Sequence, residues 1–185
     1  MRRRALFFGL FVLLAPACDE KKEGALRGSG VQKAQSRPAP AFSRLWVGGS
    51  LDVRVLVDKD QPTLDVKGDD NLLDHVTARI EDGVLKLDTD TKLKTTMPLE
   101  LRLHTGRLDS VVAAVASKVD VQGLRAGAFE ARAAGAGRLT VSGSATSLDL
   151  GGKGAAQLDF TNVPAASAKV HLEQGAVVRL GYLET

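Results

Sequence analysis

Aromatic side chains are scarce in this chain, with one Trp, one Tyr and six Phe among 185 residues. A core assembled from large rings is thereby excluded, and the abundant Gly, Ala and Val favour thin stacked layers. Cysteine is rarer still. Cys18 stands alone, so no internal disulfide can staple the fold and no catalytic thiol lies elsewhere in the chain. Helical periodicity is missing too: no stretch of ten or more residues repeats its apolar positions every three to four residues, which argues against bundles and α/β layers. The one long apolar run, Ala5 to Leu14, is too short to cross a bilayer as a mature helix.

That run does suit the core of a secretory signal, because Arg2, Arg3 and Arg4 precede it and Ala15-Pro16-Ala17 follow it. The expected signal peptide is 1–17. Leu14-Ala15-Pro16-Ala17-Cys18 resembles a bacterial lipobox, which implies cleavage before Cys18 and lipidation of its sulfur. A lone thiol in an exported chain has no partner, so its place at the cut gives this reading its reason. The expected location is the cell envelope, on the periplasmic face of the inner or outer membrane or at the cell surface, with the membrane reached through the N-terminal lipid. Removing the signal also removes three arginines. The 25 basic side chains then fall level with the 22 acidic ones, leaving no cationic field for nucleic acid.

Residues 18–41 mix charge, Gly, Ser and Pro without an apolar period and read as the lipidated cysteine followed by a disordered tether. From Phe42 the pattern becomes strict alternation, the mark of strands with one buried face. Leu51, Val53, Val55 and Val57 form one such run; Leu64 and Val66, Val76 to Ile80, Leu85 and Leu87, and Leu99 to Leu103 form the next. Asp82-Gly83 between two runs predicts a hairpin.

After Arg107 a pattern of about 20 residues recurs four times. Each copy carries two apolar-x-apolar pairs. The first are Val111/Ala113, Ala131/Ala133, Leu150/Gly152 and Val170/Leu172; the second are Val119/Val121, Leu139/Val141, Leu158/Phe160 and Val178/Leu180. The expected fold is all-β: a single-domain parallel β-helix or β-solenoid over 42–185, with irregular N-terminal strands and a hairpin. Stacking the copies predicts outward columns Ser110/Glu130/Asp149/Lys169 and Asp120/Thr140/Asp159/Arg179, with Asp149 beside Lys169 and Asp159 beside Arg179. Gly135, Gly137, Gly154 and Gly175 fall at corners, and Tyr182 and Leu183 are expected to cap the last rung.

Gly49-Ser50-Leu51-Asp52-Val53-Arg54-Val55, followed by Gly68-Asp69-Asp70-Asn71-Leu72-Leu73-Asp74, resembles the head GIN domain family of autotransporter-adhesin-like proteins. In that family a "G-x-F-D-V-x-V" strand precedes a "G-D-E-N-L-L-D" turn and a "D-G-x-L-x-I" hairpin, matched here by Asp82-Gly83-Val84-Leu85-Lys86-Leu87. Leu51 stands in place of the usual Phe. The resemblance covers Ser43 to Thr185 and implies β-solenoid rungs and an adhesin-like role.

Candidate chemistry is thin. Gly151-Gly152-Lys153-Gly154 lacks the hydroxyl residue and the helix of a phosphate loop, and lacks the Asp of a calcium-binding glycine-rich repeat. His75, His104 and His171 are far apart and read as exposed strand residues. Asp58, Asp60, Asp69, Asp70 and Asp74 gather around two turns and are the one candidate binding region, although Asp is an ordinary turn residue and no metal-ligand spacing is present. No catalytic residue, metal or cofactor is expected. The function expected is a non-enzymatic binding, adhesion-like or structural module for an envelope protein or glycan. The alternative is a β-helix glycan hydrolase or lyase, which needs convergent carboxylates.

Overall fold

The computed structural model describes residues 24–182. The signal peptide, Cys18 and Leu183 lie outside the described residues. In chain order, β1 (Leu26–Arg27) and β2 (Gln32–Pro38) precede β3 (Arg44–Val47), β4 (Asp52–Val57) and β5 (Thr63–Asp69). A single 3-10 turn over Leu73–His75 leads into a hairpin of β6 (Val76–Glu81) and β7 (Val84–Thr89). Next come β8 (Leu93–Lys94), β9 (Glu100–Thr105) and β10 (Ser110–Ala113). The regular part holds β11 (Lys118–Gly135), β12 (Arg138–Gly154), β13 (Gln157–Asn162), β14 (Ser167–Gln174) and β15 (Val177–Leu180).

The protein is all-β, and its main sheet curls through two columns of parallel strands. One column runs β7, β3, β10, then the second half of β11, the second half of β12, and β14. The other runs β9, β4, then the first halves of β11 and β12, β13 and β15. The long strands β11 and β12 belong to both columns because each turns a corner midway. The sheet is mixed, where a parallel β-helix or β-solenoid with irregular N-terminal strands and a hairpin was expected. β6 lies antiparallel on β7, β5 antiparallel on β9, and β2 antiparallel on β5. Short hairpins and returns in the N-terminal half produce those reversals, since a tight turn such as Asp82-Gly83 (φ 52° and 73°) can only join antiparallel neighbours.

The register read from the repeats is found in the strands. Val111 pairs with Ala131, Ala131 with Leu150 and Leu150 with Val170. Val119, Leu139, Leu158 and Val178 stack likewise. Irregularities after Val121 and after Thr140 bend the strands at the corners. Inward residues of the interior copies are buried, including Val119, Val121, Leu139, Leu150 and Leu158. Phe129 and Phe160, the two largest buried side chains, meet inside with ring centroids 6.3 Å apart and planes tilted by 51°. Fully burying one such side chain contributes about 1.5–3 kcal/mol.

One corner recurs in every copy. Val115, Gly135, Gly154 and Gln174 have φ of 61°, 70°, 82° and 61°. Gly135 pairs with Gly154, and Gly154 with Gln174. The left-handed position in the last copy is thus Gln174 rather than Gly175. Glycine at 135 is also a steric need, because a Cβ there would lie 2.6 Å from the Val115 carbonyl oxygen.

Two further expectations are corrected. The stretch expected to be a disordered tether contains β1 and β2. The seven residues of β2 pair along β5 from Gln32↔Asp69 to Pro38↔Thr63. Because β2 is mostly exposed on both faces, it is held by main-chain hydrogen bonds and has no apolar alternation to read. β3 and β4 stand mid-stack, directly against β10 and β11, while β6 and the β5–β2 pair lie outside β7 and β9 at one end of the sheet. Tyr182 does not cap the other end; it is 90% exposed and leaves Val170 and Leu172 open.

Candidate binding surface

The five aspartates singled out in sequence do not converge, and no group of three or more metal-ligating side chains forms among the described residues. Asp69 is fully buried. Its carboxylate accepts from the main-chain N–H of Gly30 at 2.8 Å, Thr96 at 2.8 Å and Met97 at 3.2 Å. Burial alone would raise its pKa, but these donors outweigh it and hold the group below the usual value. Gly28 passes so near that a Cβ would touch the carboxylate at 2.2 Å. Asp69 is therefore a clip, tying the β1–β2 segment to the β8–β9 loop.

Asp70 accepts from the Ser29 hydroxyl, and Asn71 binds Ser29 N–H and Arg27 O on the same segment. Asp58 faces His104 Nδ1 at 2.9 Å, while His104 Nε2 stands 3.5 Å from Asp65. His104 is buried, against the expectation of an exposed strand histidine. The reason is its position on β9 between β4 and β5, where both neighbouring strands cover it. Asp60 packs beside Gly106, and Asp74 is exposed on the 3-10 turn. His75 lies on that same turn and contacts Asp90 at 2.8 Å; His171 is exposed on β14. The turn chemistry of Asp58, Asp69 and Asp70 is thus engaged in fastening the fold.

The more open surface lies along one outward column. Arg44 pairs in register with Ser110, Ser110 with Glu130, Glu130 with Asp149 and Asp149 with Lys169. These residues line a groove of about 760 Å³, with Phe129 and Leu148 buried at its floor. At about 4.8 Å per strand the five positions span roughly 19 Å. Cations stand at the two ends and carboxylates between them. Arg44 is steadied by donating to Asp82 O at 2.8 Å.

Arg132 organises the middle. Its Nη2 lies 3.1 Å from Glu130 and 3.0 Å from Asp149, and its Nη1 donates to Asp149 O at 2.7 Å. Gly151, its neighbour in register, makes room: a Cβ there would sit 2.5 Å from Arg132 Cδ. Asp149 and Lys169 are register neighbours as expected, but the carboxylate turns to Arg132. The Asp159–Arg179 contact forms at a loose 4.0 Å. Asp159 is held below the usual carboxylate range chiefly by the hydroxyl and N–H of Thr161, with Arg179 a smaller contributor. The repeat pattern contains four members of the groove column; it omits Arg44, which lies outside the repeats, and Arg132, whose role depends on side-chain reach. The glycine at 151 was the signal available for Arg132.

Glu130 and Asp149 share one guanidinium, an arrangement suited to holding polar groups in place. Residues 41–184 match the family described as "Putative auto-transporter adhesin, head GIN domain", and the chain belongs to that family. Among solved structures it is similar to a putative adhesin from Bacteroides fragilis, at TM-score 0.65 and 15% identity over 83% of this chain and 81% of that one. A putative lipid binding protein from Parabacteroides distasonis gives TM-score 0.60 at 14% identity, covering 85% of each chain. A putative adhesin from Parabacteroides merdae gives 0.57 at 14%, covering 83% and 82%. No curated protein matches.

Proposed function

We propose that the protein is an exported, lipid-anchored, non-enzymatic binding module of the cell envelope, whose C-terminal copies serve as a β-solenoid platform for an envelope glycan or protein. The observation that carries the reading is the Arg44/Ser110/Glu130/Asp149/Lys169 column within an adhesin-like family. Stacked strands offer hydrogen-bonding groups at a fixed spacing, which suits an extended partner lying across the rungs. Charges of both signs give orientation more than affinity. Lipidation at Cys18 would hold the domain close to its partner's membrane.

Two measurements test the reading separately. Metabolic labelling with a clickable fatty acid should mark the wild type and not Cys18→Ser; equal labelling of both would remove the anchor. Crosslinking of the native protein in its envelope should capture a partner that a Glu130→Ser/Asp149→Ser/Lys169→Ser variant loses. Undiminished capture by that variant would place binding elsewhere.

A further inference from the structure

The two ends of the stack differ. At the N-terminal end the outermost strands are β2 and β6. β2 carries Lys33, Arg37 and Pro38, the residues that discourage pairing at an edge. At the other end, β14 pairs only with β12 and β15 only with β13 among the described residues. Their inward positions, buried in every earlier copy, are open here: Val170 is 41% exposed, Leu172 42% and Leu180 36%. An unpaired strand edge beside exposed apolar side chains is a template for another strand.

We propose that this edge docks a second copy of the chain, β14 pairing antiparallel with β14 of its partner about a two-fold axis midway between the two copies of His171. Self-complementarity selects this occupant. Antiparallel pairing centred on residue 171 sets Val170 opposite Leu172 of the other copy, joining the two inner faces into one apolar core. It also sets Lys169 opposite Glu173 on the outer face, twice by symmetry. Glu173 already contacts Lys153 of the copy beneath at 3.0 Å. Across the axis the outer face therefore continues as Lys153, Glu173, Lys169 of the partner, and then its Asp149. A two-fold axis parallel to the plane of the last copy and half a strand spacing beyond it reverses strand direction while keeping inward faces inward, so β15 meets its own equivalent in the facing column. The inference does not depend on the envelope reading.

The full chain in detergent, followed by sedimentation over a hundredfold range of concentration, should pass from monomer to dimer. Lys169→Glu and Glu173→Lys each place like charges opposite one another and should weaken the dimer about tenfold. The double swap should restore it, which no intrachain role of either residue predicts. Position 171 meets itself at about 4.5–5.5 Å between Cα atoms, within disulfide reach. On mild oxidation His171→Cys should give a linked dimer well beyond the wild type, whose only cysteine is Cys18, and beyond Thr140→Cys on an interior copy. A monomer at every concentration, linkage at 171 no greater than at 140, or a double swap as weak as the single ones would each overturn the proposal. Coverage of the edge by the chain's own terminal residues would show as that monomer.

Discussion

Val115 turns the first left-handed corner with a β-branched side chain, at φ 61°, where the next two copies use glycine. For such a residue this conformation costs about 2 kcal/mol. Val115→Gly removes that cost. Against the gain stand about 0.5–1 kcal/mol for the extra freedom of glycine in the unfolded chain and about 0.5 kcal/mol for lost contacts, small because Val115 is 60% exposed. The variant should be more stable by about 0.5–1 kcal/mol. Urea unfolding should show the midpoint rising by about 0.3–0.5 M at constant slope, with Tm up by about 2–3 °C. Val115→Ala keeps a Cβ at the strained angle and should gain less. The reciprocal Gly135→Val adds a collision with the Val115 carbonyl oxygen, 2.6 Å from the new Cβ, and should lose at least about 3 kcal/mol. A midpoint that falls in Val115→Gly, or rises equally in Val115→Ala, would refute the left-handed-corner reasoning.

Two other glycines should separate sharply. At Gly143 (φ 139°) a Cβ would meet Leu124 O at 2.2 Å, so Gly143→Ala should cost on the order of 3 kcal/mol. Gly127 faces open space, and Gly127→Ala should be neutral or stabilise by about 0.5 kcal/mol in the same urea assay; equal effects would contradict the close packing at Gly143. For Asp69, whose folded pKa lies below its ordinary value of 3.8, the stabilisation is present above that value and lost as pH falls through the folded pKa. Urea midpoints from pH 7 to 3 should fall on acidification, and less steeply in Asp69→Asn; parallel profiles would show that the carboxylate is not the clip.

What sequence shows of this fold depends on which forces leave a mark on side chains. Burial does: the alternation at Leu51 to Val57 and the pairs from Val111 to Leu180 located strands and register, since each inward position must be apolar. Main-chain pairing does not. β2 was invisible because its hydrogen bonds to β5 ask nothing of Gln32, Lys33 or Ser36 except an extended backbone. Placement across long sequence distances was equally hidden. Nothing in Arg44 to Val47 announces that it stacks on Ser110 to Ala113, so the groove was read without its first cation. The aspartates were legible as turn residues, but their partners Gly30, Thr96, Met97 and His104 lie 27 to 46 residues away, beyond any local motif.

The placement of β3 and β4 in mid-stack has a consequence for how such a chain can vary. β3 lies between β7 and β10, and β4 between β9 and β11, so a deletion of either would open the core from within. Copies after Arg107 are laid down one upon another at a single end. Adding or removing one changes the height of the body by about 4.8 Å while the foundation is untouched. Copy number is then a length gauge, adjustable by duplication, that sets how far the outermost copy stands from β3 and β4.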